Sequence, residues 1–121
     1  MNNKDFGQVK ISEDVIATIA SLATCEVEGV SQMLGSFTGN LSEILGKKNF
    51  SKGVKVQVTD NQVDIDAHVY IEYGSIIPKI SEKIQENVKN TVENMTGLKV
   101  SSVNVHVQGI VTKQEKSQEQ R

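Results

Sequence analysis

Strict alternation of apolar and polar residues marks two neighbouring segments in the middle of the chain. Three valines alternate with polar residues over 54–59, and five apolar residues alternate with polar ones over 63–72. Asp60 and Asn61 join the two runs, and both residue types tolerate the left-handed backbone that tight turns use. The pattern predicts a β-hairpin in which each strand has one buried face and one face in water.

Two other segments have apolar residues at intervals of three and four, the spacing of one helix face. The first follows Ser12, which suits a helix N-cap because its hydroxyl accepts a backbone N–H bond, and Gly29 is the expected stop. The second begins near Pro78, a residue favoured in the first helical turn, and is expected to end at Gly97. The chain is therefore predicted to form two amphipathic helices.

Two further strands complete the predicted fold. Residues 8–11 alternate briefly before the first helix, and residues 100–111 alternate after the second. The phase of the last strand changes between Val100 and Val103, which a β-bulge would explain. The predicted order is β-α-β-β-α-β. Because the middle connection is a hairpin, we expect an α+β fold, a two-layer sandwich with two helices on one face of a mixed or antiparallel sheet.

A glycine-punctuated stretch, residues 35–53, separates the first helix from the hairpin. It holds a short apolar cluster at helical spacing followed by lysines, and its candidate interaction residues are Phe37, Leu41, Ile44, Leu45, Lys47 and Lys48. Two interpretations stay open. The cluster is either a docking helix for a partner or a membrane surface, or a flap that covers one end of the core.

Composition narrows the class of protein. The net charge is −2, aromatic residues make up 4% of the chain and tryptophan is absent, a balance that argues against a nucleic-acid binder. One cysteine, Cys25, excludes an internal disulfide and a cysteine-rich zinc site. No apolar run approaches the roughly 18 residues of a membrane span, and the start does not resemble a signal peptide. We expect one cytoplasmic domain over 7–111 and a disordered polar tail over 112–121.

Titratable residues on the polar strand faces raise the question of a metal or catalytic site. If the second hairpin strand lies beside the last strand, Asp66, His68 and His106 come close together and could bind a transition metal. No sequential ligand motif supports that site, and an open sheet face gives little of the desolvation that acid–base catalysis requires. We therefore predict no catalytic, metal or cofactor-binding residues and interpret both histidines as solvated.

Glu26 and Glu28 are the other candidate interaction residues. They lie near the carboxyl end of the first predicted helix, where a carboxylate opposes the helix dipole at a cost of up to about 1 kcal/mol. Such an unfavourable choice is compatible with a partner site or with a salt bridge to a lysine elsewhere in the fold. Cys25 shares this environment, which is expected to raise the pKa of its thiol, so we do not predict a nucleophile there.

Five motifs along the chain are those of a known family. In order they are Gln8-Val9-x-Ile11-Ser12, Glu26-Val27-Glu28-Gly29-Val30, Tyr73-Gly74-x-x-Ile77-Pro78, Met95-Thr96-Gly97-Leu98 and Val103-Asn104-Val105-x-Val107-x-Gly109-Ile110. Over residues 7–111 the chain resembles the alkaline shock protein family of Gram-positive bacteria, also called envelope stress response proteins, and especially its small YqhY-like members. The resemblance implies an abundant, non-enzymatic cytoplasmic protein, and it carries no catalytic residues over.

The resemblance also implies two kinds of protein partner. Some members are held at the membrane by a separate anchor protein, and YqhY-like members are linked to control of fatty-acid synthesis at the acetyl-CoA carboxylase step. This chain has no long charged extensions, which weakens the expectation of envelope anchoring more than that of the fold.

Three classes of function follow from these observations. A protein-interaction module is the expectation, with self-association through the last strand if its edge is unprotected. The alternative is an RNA-binding module of the split βαβ type. Against RNA, Tyr70 is the one aromatic residue on the predicted polar face, and the lysines are diluted by Asp64 and Asp66. A small enzyme would need a polar pocket that the pattern does not provide.

Overall fold

The computed structural model describes residues 6–33 and 53–112, which form one sheet and two helices. The elements follow in the order α1 (Glu13–Cys25), β1 (Val30–Met33), β2 (Val54–Thr59), β3 (Gln62–Glu72), α2 (Ile77–Thr96) and β4 (Lys99–Val111). β4 pairs with β3 in parallel along its whole length, whereas β2 and β1 pair with β3 antiparallel. Because β4 occupies one edge of β3, β2 and β1 lie end to end along the other.

The predicted class is confirmed: the protein is a two-layer α+β sandwich with both helices on the apolar face of the sheet. One strand is placed differently. Residues 8–11 lie in no strand, and Val9 is 81% exposed, whereas Val30–Met33 forms β1 after the first helix. The described elements therefore begin with α1. Four alternating residues are too few to distinguish a strand from an extended approach to a helix.

Three predicted ends are confirmed and one is wrong, since α1 ends at Cys25 with Glu26 as its C-cap, before the expected stop at Gly29. The Ser12 hydroxyl accepts the N–H of Val15 at 3.2 Å, and Gly97 closes α2 in the left-handed conformation with φ 79°. Asp60, in the hairpin turn, has φ 57°. The register passes from Val63 opposite Val100 to Asp64 opposite Ser102, so β4 has an extra residue where its alternation changes phase. Local chemistry decides each of these features.

The core lies between the helices and one face of β3. The five helix-side residues of β3 are fully buried: Val63, Ile65, Ala67, Val69 and Ile71. α2 contributes a buried stripe of Ile84, Val88 and Val92. α1 contributes mainly small side chains, Ala17, Ala20, Ala23, Ser21 and Thr24, which allow it to approach its neighbours closely.

A carboxylate fixes the junction between α2 and β4. Glu93 Oε2 accepts the backbone N–H of Val100 at 2.9 Å, and Lys89 Nζ lies 3.1 Å from Glu93 Oε1. The Val100 N–H, and after it the Lys89 hydrogen bond, lower the pKa of Glu93 below its ordinary value. The contact holds β4 at the start of its pairing with β3.

Candidate interaction surface on the open face of the sheet

Neither α1 nor α2 covers the second face of the sheet, which is lined by polar side chains. We name it the polar sheet face, and its residues are Lys55 and Gln57 of β2, Asp64, Asp66, His68 and Tyr70 of β3, and Ser102, Asn104, His106 and Gln108 of β4. Alternation along each strand places these side chains on one side and the core residues on the other. Residues of three neighbouring strands, β2, β3 and β4, therefore form this face together.

Hydrogen bonds across the β3–β4 seam hold this face in place. Ser102 Oγ donates to Asp64 Oδ1 at 2.8 Å, and Asn104 Nδ2 donates to Asp66 Oδ1 at 3.1 Å. Each donor stands directly opposite its acceptor in the strand register. Because the partners come from neighbouring strands, their side chains are already ordered in the isolated chain.

The two histidines that sequence reasoning placed together do meet. The rings of His68 and His106 stack with their centroids 4.6 Å apart and 15° between their planes. His106 Nε2 lies 3.1 Å from Asp66 Oδ1, and Gln108 Nε2 lies 3.2 Å from His68 Nδ1. The hydrogen bond with His106, and then that with Asn104, hold the pKa of Asp66 below its ordinary value.

This geometry does not form a metal centre. Stacked rings present their faces to each other, whereas a metal requires nitrogens directed at one point. Across residues 6–33 and 53–112, no three histidine, cysteine, aspartate or glutamate side chains converge in a way that could hold an ion. The polar side chains here form hydrogen bonds with one another rather than a set of metal ligands.

A glycine allows an aromatic ring to lie against β4. A Cβ added at Gly109 would come within 3.1 Å of two ring carbons of Tyr70, the residue opposite it in register. Sequence reasoning assigned no role to Gly109. The signal was available, because an isolated glycine inside a strand often marks a close approach by another group.

Glu26 and Glu28 lie away from the polar sheet face, in a groove between the end of α1 and α2. The groove has a volume of about 470 Å³ and is lined by Glu26, Val27, Glu28, Lys83, Glu86, Asn87 and Asn90. Asn87 Nδ2 donates to the Ala23 carbonyl at 2.7 Å and to Glu26 Oε1 at 3.0 Å. One of the two glutamates thus joins the helices through an amide, a contact that the sequence did not indicate.

The remaining predicted interaction residues lie outside the described residues. They are Phe37, Leu41, Ile44, Leu45, Lys47 and Lys48, and their role stays a prediction, as do the domain limits and the polar tail.

Two further observations concern reactivity and membranes. Although the Cys25 residue is exposed, its thiol is partly desolvated by neighbouring atoms, and this desolvation raises its pKa. A protonated thiol is a poor nucleophile.

In the part of the chain that the structure describes, neither helix combines the length and apolarity needed to cross a bilayer.

Comparison with known proteins identifies the family. The sequence profile of the alkaline shock protein 23 family, described as having a cell envelope-related function, matches residues 1–112. The chain belongs to this family. Its relatives include the protein YqhY of Bacillus subtilis strain 168, with 40% identity over 112 residues that cover 91% of this chain and 83% of YqhY. YloU of the same strain is 39% identical over 107 residues, which make up 87% of this chain and 89% of YloU.

One relative of this alkaline shock family member is named for a role in the stress response. The stress response regulator gls24 homologue of Streptococcus pyogenes serotype M3 is 34% identical over 110 residues, 90% of this chain and 62% of that protein. A solved structure of a MamM CTD variant shares the fold alone, with a TM-score of 0.50 and 11% identity over 81% of this chain and 98% of that one. The expected family is thereby confirmed, and the family is related to the cell envelope and to stress.

Proposed function

We propose that this chain is a non-enzymatic protein-interaction module that binds its partners through the polar sheet face. The observation that carries the proposal is the hydrogen-bonded array on β3 and β4, which neither of the two described helices covers. Side chains that are ordered before binding lose less conformational entropy on association, so the array is suited to recognition. It forms an open surface, whereas acid–base catalysis is favoured by enclosure.

The charge on the face favours a protein partner over RNA. Asp64 and Asp66 lie at its centre, and Lys55 stands directly opposite Asp66 in the register of β2 and β3. RNA phosphates would meet these carboxylates, whereas nucleic-acid binding depends on concentrated positive charge. Hydrogen-bond donors and positive side chains on a protein surface complement the array.

Two partner classes fit the family. Resemblance to the YqhY-like members favours subunits of acetyl-CoA carboxylase, so that the chain would regulate fatty-acid synthesis by contact. Resemblance to the envelope stress members favours a small membrane anchor protein, so that a cytoplasmic chain would be held at the membrane by its partner. We favour the first class because of the 40% identity to YqhY.

A matched pair of charge reversals tests the proposal. Asp64→Lys alters the polar sheet face, and Glu82→Lys makes the same change on the exposed side of α2. Binding of the full chain to purified acetyl-CoA carboxylase subunits is measured by calorimetry, and binding to detergent-solubilised native membranes by pull-down. We expect Asp64→Lys to weaken binding about tenfold or more, the effect of losing about 1.4 kcal/mol, with Glu82→Lys unchanged.

Equal binding by both variants would refute the use of this face. Binding to neither preparation, together with salt-dependent binding to single-stranded RNA, would replace the proposal with the RNA alternative. Binding to the membrane preparation alone would support the protein-interaction function, but with the membrane anchor protein as the partner instead of acetyl-CoA carboxylase.

A further inference from the structure

The outer edge of β4 is long, and no strand within residues 6–33 and 53–112 pairs with it. β4 has thirteen residues, and among the described strands its neighbour is β3 alone. A strand edge of this length presents backbone N–H and C=O groups to any second strand, and proteins usually protect such edges with charges or proline. From 100 to 111 the strand contains no aspartate, glutamate, lysine, arginine or proline.

The opposite edge of the sheet differs in each respect. β2 has six residues and β1 has four, so that this edge is made of two short strands rather than one long strand. Lys55 adds a charge within β2. The contrast marks the β4 edge as the one suited to pairing.

The side chains of β4 are arranged symmetrically about its midpoint. Val105 is the central residue of Lys99–Val111. In an antiparallel pair of identical strands centred there, the facing residues outward from Val105 are Asn104 with His106, Val103 with Val107, Ser102 with Gln108, Ser101 with Gly109, Val100 with Ile110, and Lys99 with Val111. From Val100 to Ile110 apolar residues meet apolar residues and no charged residue takes part, and the one mismatch is the terminal pair of Lys99 with Val111. The strand is therefore complementary to itself over its central eleven residues.

Apolar surface beside this edge remains incompletely covered. On β3, Ala67 and Val69 are fully buried, whereas Val105 and Val107, their partners in register on β4, are only half-buried. Ile110 is 44% exposed. A second β4 would cover these side chains and gain the free energy of burying apolar area.

Apart from Lys99 at its first position, β4 itself carries no lysine, arginine, aspartate or glutamate. Asp64 and Asp66 lie on β3, one strand inward, so that identical copies would not bring like charges together at the seam. We propose that two copies of this chain associate through β4, antiparallel about a two-fold axis at Val105, and so join their sheets into one. This inference does not rest on the proposed function, because the polar sheet faces stay open in such a dimer.

The first test compares two valine-to-lysine variants of the full chain. Val105→Lys and Val56→Lys each put a charge on a half-buried edge position, on β4 and β2 respectively. Circular dichroism establishes that each variant is folded, and sedimentation equilibrium measures mass against concentration. We expect a concentration-dependent dimer for wild type and Val56→Lys, and a monomer for Val105→Lys. A monomeric wild type, or a Val105→Lys variant that still dimerises, would overturn the proposal.

A second test fixes the register and does not depend on the lysine variants folding. In a Cys25→Ser background, Val105→Cys places two thiols opposite each other at about 5 Å between Cβ atoms, close to disulfide geometry. Val107→Cys is the control, since its copies would lie about 14 Å apart along the strand. Oxidation with copper phenanthroline is expected to give a covalent dimer with Val105→Cys and little with Val107→Cys. Equal yields, or a higher yield for Val107→Cys, would contradict this register.

Discussion

The two faces of β3 are built from alternate residues of one strand and have different environments. On the helix side, Ile65, Val69 and Ile71 have no exposed surface. On the other side, Asp64, Asp66 and their neighbours are partly exposed and hydrogen-bonded to β4. The difference separates two tasks within eleven residues, since one face supplies stability and the other is the surface for which we propose a role in recognition.

The physical reason for this separation is the size of each contribution. Burying an aliphatic side chain contributes about 1.5–3 kcal/mol, whereas a hydrogen bond that competes with water contributes about 0.5–1.5 kcal/mol at most sites. Changes on the polar sheet face are therefore expected to affect binding more than folding.

Substitution in the buried face has the largest expected effect. Ile65→Ala removes a fully buried side chain between the helices and the sheet, and its cost is about 2–5 kcal/mol of unfolding free energy. Asp66→Ala, one residue on, is expected to cost less than about 1.5 kcal/mol. Urea unfolding measures both, and comparable losses would mean that the two faces are not energetically distinct.

The turn into β1 shows how closely the helix layer is packed. Gly29 has φ 103°, and an added Cβ would lie 2.6 Å from Ile80 Cδ1. Gly29→Ala is therefore expected to cost about 1–3 kcal/mol from backbone strain, with an added contribution from the contact. Gly74→Ala is the matched control, because Gly74 has φ 98° and no atom near the added Cβ. In thermal unfolding, we expect Gly29→Ala to have a lower melting temperature than Gly74→Ala. The reverse order would reject the role of the Ile80 contact.

A buried hydroxyl in α1 offers a stabilising change. Ser21 is 1% exposed, and its Oγ has no hydrogen-bond partner among the described residues. Thr24 is equally buried, but its Oγ1 donates to the Ala20 carbonyl at 2.8 Å. Ser21→Ala is expected to stabilise the fold by up to about 1 kcal/mol, since it removes an unsatisfied polar group. A loss of stability in urea, greater than that of Thr24→Ala, would show that the Ser21 hydroxyl is satisfied.

Acid pH is expected to reduce slightly the contribution of the polar sheet face to the free energy of unfolding. The folded pKa of Asp66 lies below its ordinary value, so its contribution to stability is present above the unfolded pKa and is lost as pH falls through the folded pKa. Glu93 has a shift of the same sign. The midpoint of urea unfolding is expected to fall as the pH is lowered from neutral to acid, and to fall less steeply for Asp66→Asn than for wild type. Identical slopes would mean that the contact between Asp66 and His106 does not contribute in solution.

Sequence reasoning succeeded where local chemistry decides the structure. Ser12, Gly97 and the Asp60–Asn61 turn each act within a few residues, and the bulge at Ser101 is visible as a change of phase. The meeting of His68 and His106 followed once β3 and β4 were assumed to be neighbours.

The missed features depend on partners far away in the chain. β1 is a strand because it pairs with β3, with Val30 opposite Ile71, and four residues alone do not indicate that pairing. The contacts of Asn87 with Ala23, and of Tyr70 with Gly109, join residues whose proximity exists only in the folded chain. Glu93 lies seven residues before Val100, and no local pattern indicates that its carboxylate holds the start of β4.

Site-specific photocrosslinking in the native cell shows whether a partner binds the polar sheet face. A photoreactive amino acid replaces Gln57 on the polar sheet face in one strain and Glu82 on α2 in another, both exposed positions. We expect Gln57 to give a crosslink to an acetyl-CoA carboxylase subunit or to a membrane anchor protein, identified by mass spectrometry, and Glu82 to give none. The same partner crosslinked at Glu82 and not at Gln57 would contradict this expectation.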